Sequence, residues 1–299
     1  MSFYLGIDGG GTKTRCALGD EASVLASSVS GGSNVVRVGE AQAREALHAA
    51  VREACADAKI SPEEIRAICI GAAGAARPEM AAMVRRILAE LTPATVEVVG
   101  DMVIALEAAC GSGPGVIAIA GTGSIVHGRD ATGHTVRAGG WGFAISDEGS
   151  GHWIGRRAVS AILHAHDAEG TTLLRDMVLQ AWSLATLDQL VQKANSFPPP
   201  EFPRLFPVVL RAAEQSDSVA RSLLVDAAHC LSDLTVAVIR RLAPQPPYVP
   251  VAMTGSVFRQ SAVVREVFYN TLQGTFPGLD VRPDPVVPVE GALARARRV

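Results

Sequence analysis

Lysine is almost missing from this 299-residue chain: it occurs only at Lys13, Lys59 and Lys193, so the positive charge is nearly all arginine. The formal net charge is −3, which gives no general electrostatic pull toward nucleic acid or an anionic membrane. Cysteine is sparse. Cys16, Cys55, Cys69, Cys110 and Cys230 are scattered without a C-x-x-C pair, which argues against a disulfide framework or a zinc site and for buried thiols in a reducing compartment. No apolar run approaches the roughly 20 residues that span a bilayer. The first residues show neither a basic segment nor an apolar leader. These absences predict a cytoplasmic protein with no membrane and no nucleic-acid partner. Missing motifs narrow the chemistry further. There is no G-x-S-x-G elbow, no H-E-x-x-H and no C₂H₂ pattern, which removes the common hydrolase and zinc readings. A Walker loop needs Gly-Lys-Ser/Thr, and a Rossmann fingerprint needs G-x-G-x-x-G opening a helix; neither is present.

What the chain does have is glycine in two related places. Leu5, Gly6 and Ile7 read as an apolar strand ending at Asp8, followed by Gly9, Gly10 and Gly11, then Thr12, Lys13 and Thr14, and a second apolar strand through Cys16 and Leu18. This is a strand–turn–strand hairpin whose glycines let backbone approach a ligand closely. Successive N–H groups in such a turn can cradle phosphate oxygens. About a hundred residues later the arrangement recurs: an apolar strand over 116–120, a turn of Gly121, Thr122, Gly123 and Ser124, and a strand resuming at Ile125. Two such hairpins predict a duplicated α/β unit clamping a nucleotide, a pattern that resembles the actin-like superfamily. Hydrophobic residues make up 48% of the chain, enough for large cores, and the length suggests two domains.

The periodicity predicts a third strand over 23–28, a turn-rich loop containing Asn34, and an amphipathic helix over 40–59. A short turn at Ser61, a strand over 65–71, a close-packing GAAGAA stretch, a helix over 79–91, a strand over 96–99 and a helix over 102–110 follow. The order so far is βββαβαβ. The second half is expected to carry a helix over 152–166, mostly helix over 171–242 with a proline-broken loop over 195–200, a strand over 249–253 and a final helix over 289–298.

Several residues have the right type for chemistry. Asp101 follows an apolar strand, where α/β folds place active residues, and a carboxylate there can accept a hydroxyl proton; on the residues alone a cap for the helix that follows is the commoner role, and the two do not exclude each other. Asp8 beside a phosphate-type turn makes sense with a hydrated Mg²⁺ between the two anions. Lys13 either meets phosphate or points to solvent. One of Asp147 and Glu148 in SDEGSG could bond the paired hydroxyls of a polyol, and Trp141 in GGWG could stack on a sugar.

Taken together, GIDGGGTKT, GGSN, GDMVIALEA, IAGTGSI, GGWGFAISDEGSG, MTGSV and EGAL resemble the N-acetylglucosamine kinase and bacterial glucosamine kinase group of the BadF/BadG/BcrA/BcrD-type ATPases. The resemblance implies an α/β, actin-like (ribonuclease H-like) duplicated fold of two domains with an interdomain cleft. The expected domains are 1–111, with 286–299 packing back on it, and 112–285. It further implies ATP and Mg²⁺ as cofactors, an amino sugar as substrate and a homodimer. At matching positions, Gly10, Gly11, Thr12 and Lys13 of the first hairpin and Gly121, Thr122 and Gly123 of the second would serve the phosphates. Ala213, Gly255 and Ser256 would flank the adenosine, Asp8 would organise Mg²⁺, and Asn34, Gly139, Gly140, Trp141 and Asp147 would shape the sugar site, with Asp101 as base and sugar ligand. One departure stands out: the family often reads Asn-Asp or Thr-Asp where this chain has Gly100-Asp101. Two alternatives share the scaffold, an ATPase activator of a dehydratase or reductase carrying a cysteine-held iron–sulfur cluster, and a non-catalytic sugar or nucleotide sensor.

Overall fold

The computed structural model of the chain describes residues 2–72, 77–243 and 247–299. It divides into two compact units, Met1–Gly115 with Val286–Val299, and Val116–Pro285.

In the first unit, β1 (Phe3–Gly9), β2 (Lys13–Gly19) and β3 (Val24–Gly31) form an antiparallel meander, followed by α1 (Val35–Val38) and α2 (Glu40–Ala58). Then come β4 (Ile65–Ala72), α3 (Pro78–Ala89), β5 (Thr95–Val99) and α4 (Asp101–Cys110). The sheet order is β3-β2-β1-β4-β5, with β4 and β5 parallel to β1 and to each other. Central β1 is apolar on both faces, as a strand covered twice must be. Leu5 and Ile7 pack with Leu47 and Val51 of α2 on one side. Tyr4, on the other, packs with Val289, Ala292 and Leu293 of a helix that arrives from the far end of the chain. Helix α2 shows its expected stripe, Ala43, Leu47, Ala50, Val51 and Ala54, all buried.

In the second unit, β6 (Gly115–Ala120), β7 (Ser124–Arg129) and β8 (Thr135–Gly139) repeat the meander. Five helices follow: α5 (Gly151–Asp167), α6 (Leu174–Ala181), α7 (Leu187–Ala194), α8 (Phe206–Glu214) and α9 (Ser218–Leu242). Next are β9 (Val251–Thr254), α10 (Ser256–Gln260) and α11 (Ala262–Thr275), and α12 (Pro288–Ala296) ends the chain. The sheet order is β8-β7-β6-β9. The duplication is therefore incomplete among the described residues: where the first unit has β5, the second has only an isolated parallel bridge between Val251 and Val281.

Three expectations are corrected. The loop around Asn34 contains the one-turn helix α1. Residues 256–275, for which no helix was expected, fold into α10 and α11, whose Val257, Phe258, Val264, Phe268 and Leu272 are buried at helical spacing. And α9, at 25 residues with mean hydropathy 1.5 over its best window, is long and apolar enough to cross a membrane, although no such run was expected. Half of that window is buried, against β7, β8 and α11. Of the GAAGAA stretch, residues 73–76 lie outside the described residues.

Helix α12 is set into the first unit at backbone distance. A Cβ on Gly291 would strike the Ile104 carbonyl of α4, and a Cβ on Gly6 would strike the backbone of Leu293. Its arginines then hold two acids. Arg295 pairs with Glu97 of β5, while buried Glu107 of α4 lies 3.6 Å from Arg295 and 2.7 Å from Arg298, without hydrogen-bond alignment to either. Attraction between these charges offsets the cost of burying Glu107. Replacing Arg295 by methionine leaves Glu97 and Glu107 under-compensated, and it should lower stability by about 3 kcal/mol, read from the urea midpoint. An unchanged midpoint would show the pairs to be dispensable.

Candidate active site

The first hairpin and the loop after β3 are one bonded object. Gly10 N–H donates to Lys13 O at 3.0 Å, which closes the turn. The Gly10 carbonyl in turn accepts the N–H groups of Ser33 at 3.1 Å and Asn34 at 3.2 Å. The buried Thr14 hydroxyl donates to Gly31 O at 2.7 Å and lies 2.7 Å from the Ser33 hydroxyl. The N–H groups of Gly11 and Thr12 have no partner among the described residues and stand at the tip. Lys13 begins β2 with an exposed side chain that has no partner among the described residues.

Asn34 caps α1, its side-chain oxygen accepting from Val36 N–H at 3.1 Å. That leaves its amide NH₂ available to a ligand. Asp8 is half-buried near the end of β1, opposite Arg15 of β2 and Gly71 of β4. Asp101 opens α4 at the end of β5, with Gly100 as the residue in cap position and no side-chain cap bond. It is thus the first helical residue and does not act as the cap. One carboxylate oxygen accepts the Met102 N–H at 2.9 Å. Burial pushes its pKa up, and the N–H groups of Met102 and Asp101 only partly counter this.

The second unit assembles its own group. Gly121 N–H donates to Gly123 O at 2.9 Å, closing this turn one residue more tightly than Gly10 and Lys13 close the first. The N–H groups of Gly151 and His152, at the start of α5, donate to the carbonyls of Gly121 and Thr122 at 2.8 and 3.2 Å. Asp147 is buried at φ 66°, a left-handed conformation that aspartate tolerates better than most residues. Its carboxylate takes the backbone N–H groups of Ser124 and Gly142, and burial raises its pKa against their influence. A Cβ on Gly123 would sit 2.7 Å from an Asp147 oxygen, so only glycine lets the carboxylate close against the turn. Gly255, at φ 107°, precedes α10 and passes so close to β6 that a Cβ would strike the Ala120 carbonyl; Ser256 begins α10. Ala213 lies near the end of α8, half-buried, and packs against the core of the second unit.

The GGWG loop leaves β8 through Gly139 and Gly140, both at positive φ. Trp141 is 65% exposed, as are Phe143 at 51% and Ile145 at 80%. The Arg137 guanidinium lies 4.0 Å from the Trp141 ring centroid and covers one face. His152 packs between Phe143 and Phe202, at 5.0 and 5.3 Å.

Sequence reasoning missed three participants. Thr14 and Ser33 tie the loop to the hairpin, and Arg137 steadies Trp141. Neither pairing has a local signal, because both partners are distant in sequence or separated by a turn. If Asp147 is the latch of the second hairpin, Asp147→Ala should speed amide hydrogen exchange at Ser124 and Gly142 and cost roughly 1–3 kcal/mol. Unaltered exchange at both would remove that role.

Against known proteins, residues 5–294 match the BadF/BadG/BcrA/BcrD ATPase family. An N-acetylmuramic acid/N-acetylglucosamine kinase from Clostridium acetobutylicum is 32% identical over 286 residues, 94% of each chain. An N-acetyl-D-glucosamine kinase from Dictyostelium discoideum is 29% identical over 98% of this chain and 97% of its own. The solved structure of a candidate N-acetylglucosamine kinase from Chromobacterium violaceum superposes with a TM-score of 0.79 at 27% identity, over 98% of both chains. These similarities bear out the two-domain actin-like fold class expected from the paired hairpins, and with the family match spanning nearly the whole chain, this protein is a member of the BadF/BadG/BcrA/BcrD ATPase family.

Proposed function

We propose that the chain is an ATP-dependent hexosamine kinase that moves the γ-phosphoryl group of ATP to the 6-hydroxyl of N-acetylglucosamine or glucosamine. The observation that carries this is the bonding of Ser33 and Asn34 to the Gly10 carbonyl, which joins an anion-type turn to a loop presenting a free amide. The relatives named as amino-sugar kinases support the same reading.

The sugar oxygen attacks Pγ as the bond from Pγ to the ADP oxygen breaks, and the hydroxyl proton passes to Asp101. A desolvated carboxylate with a raised pKa is a stronger base than an ordinary aspartate. Asn34, Gly139, Gly140, Trp141 and Asp147 serve the sugar, Asn34 through its uncommitted NH₂ and Trp141 through its open face. Asp147 can do so only with carboxylate lone pairs left over from Ser124 and Gly142. The tip N–H groups around Gly11, Thr12, Thr122 and Gly123 receive phosphate oxygens, Lys13 adds positive charge, and Gly255, Ser256 and Ala213 flank the adenosine. Most of the acceleration then comes from positioning and charge neutralisation.

Mg²⁺ fits this donor set. No cluster of three or more His, Cys, Asp or Glu able to hold a metal occurs among the described residues. A single carboxylate, Asp8, suits an ion that takes its other ligands from phosphate and water. When bound, it neutralises triphosphate charge. We also infer a cytoplasmic homodimer, supported by the family resemblance. For an iron–sulfur activator, Cys16, Cys55 and Cys69 are buried, Cys110 and Cys230 are half-buried, and the described residues hold no ligand-like grouping of cysteines.

Coupled ADP release with MgATP should be strong with one hexosamine among glucosamine, N-acetylglucosamine, N-acetylmannosamine, N-acetylmuramic acid and glucose, and near zero without sugar. Release indifferent to sugar would overturn the proposal. Asp101→Asn should cut turnover by about 10²–10⁴-fold while nucleotide still binds. Because Asp101 must be ionised to act and its pKa is raised, the acid limb of kcat/KM should lie above the ordinary aspartate range; activity flat down through that range would contradict its role as base.

A further inference from the structure

We infer that Arg37 is a contact residue for the γ-phosphoryl group, an inference that rests on the kinase reading above. Arg37 is the third residue of α1. Its backbone N–H donates to Asn34 O at 2.9 Å, so it is fixed to the same short turn that Asn34 caps. That turn is itself tied to the first hairpin through the Gly10 carbonyl. The Arg37 side chain then folds back along the hairpin tip. A Cβ built on Gly11 would meet its Cδ at 3.1 Å and its Nη1 at 3.2 Å, so the guanidinium occupies the space a side chain at position 11 would fill.

This gives Gly11 a second reason to be glycine and puts a permanent cation beside two N–H groups, of Gly11 and Thr12, that have no partner among the described residues. A planar guanidinium next to two free backbone donors is a donor set for a phosphoryl group, and it suits charge spread over several oxygens better than a single ammonium does. The cation also sits on the turn that carries the sugar-side Asn34. Among the phosphates of ATP, the one that departs for the sugar is therefore the one it serves. As the Pγ–O bond to ADP breaks and the bond to the sugar oxygen forms, Arg37 stays with the moving group, whereas ADP leaves without it.

The test compares two nucleotides. Dissociation constants for ADP and for the non-hydrolysable β,γ-imido analogue of ATP are measured by calorimetry with Mg²⁺, for the unaltered chain, Arg37→Ala and Arg37→Lys. Arg37→Ala should weaken the analogue about 10- to 100-fold and leave ADP within about twofold. Arg37→Lys should recover part of the loss, and kcat should follow the analogue. A residue that only packs against the hairpin would move both nucleotides together or neither, and either result overturns the inference. Should Arg37→Ala fail to fold, Arg37→Lys decides on the same comparison, since loss of the guanidinium's paired bonds should still weaken the analogue more than ADP. If no sugar stimulates ADP release by the unaltered chain, the kinase reading fails by itself, and equal binding of the two nucleotides across all three proteins remains the separate result that removes Arg37.

Discussion

A single carbonyl, that of Gly10, sets the geometry of the first unit's functional end. It accepts two N–H groups from the loop after β3, and its own N–H closes the hairpin. A backbone acceptor with two occupied lone-pair directions cannot drift without breaking both bonds. The anion-type turn, the Asn34 cap and the Arg37 helix therefore move as one piece. Buried Thr14 and Ser33 fasten that piece from below. Strand β1, which delivers the hairpin, is gripped on both faces, by α2 and by α12. The last helix of the chain thus contributes to the site without touching it, by fixing β1 and the α4 helix that starts with Asp101.

The second unit reaches a comparable end by other means. Its hairpin closes over a tighter span, Gly121 to Gly123 against Gly10 to Lys13, and its brace is a buried carboxylate, Asp147, and the start of α5. Burying an acid to hold a turn is costly unless backbone donors meet it, and Ser124 and Gly142 do. The shrinkage of the fifth strand to one bridge at Val281 is balanced by the larger helical layer, where α8, α9 and α11 enclose the core.

Much of this was legible in the chain itself. Paired glycine turns after apolar strands give the hairpins β1–β2 and β6–β7, though not strand β8, and alternation of 3.6 and 2 residue periods gives β4, β5, α2 and α5 nearly to the residue. What was not legible depended on contacts remote in sequence. Asn34 stands among glycines and serines and reads as part of a turn-rich loop, and the β-branched valines after it are weak helix formers; the bonds to Gly10 and the cap stabilise α1. Helix α11 was hidden by β-branched and aromatic residues that its burial tolerates. At the candidate site, Asp101 and Asp8 announce themselves by ending strands. Arg37 and Arg137 do not, since an exposed arginine carries no pattern until the surface it lies on is known.

The central claim is that phosphoryl leaves ATP for a sugar oxygen. The most direct measurement is phosphorus NMR of the mixture after MgATP and N-acetylglucosamine, or glucosamine, are incubated with the chain. The account predicts a sugar 6-phosphate resonance growing in step with ADP, one for one, with little free phosphate. Inorganic phosphate accumulating with ADP, and no phosphorylated sugar from either hexosamine, would contradict it.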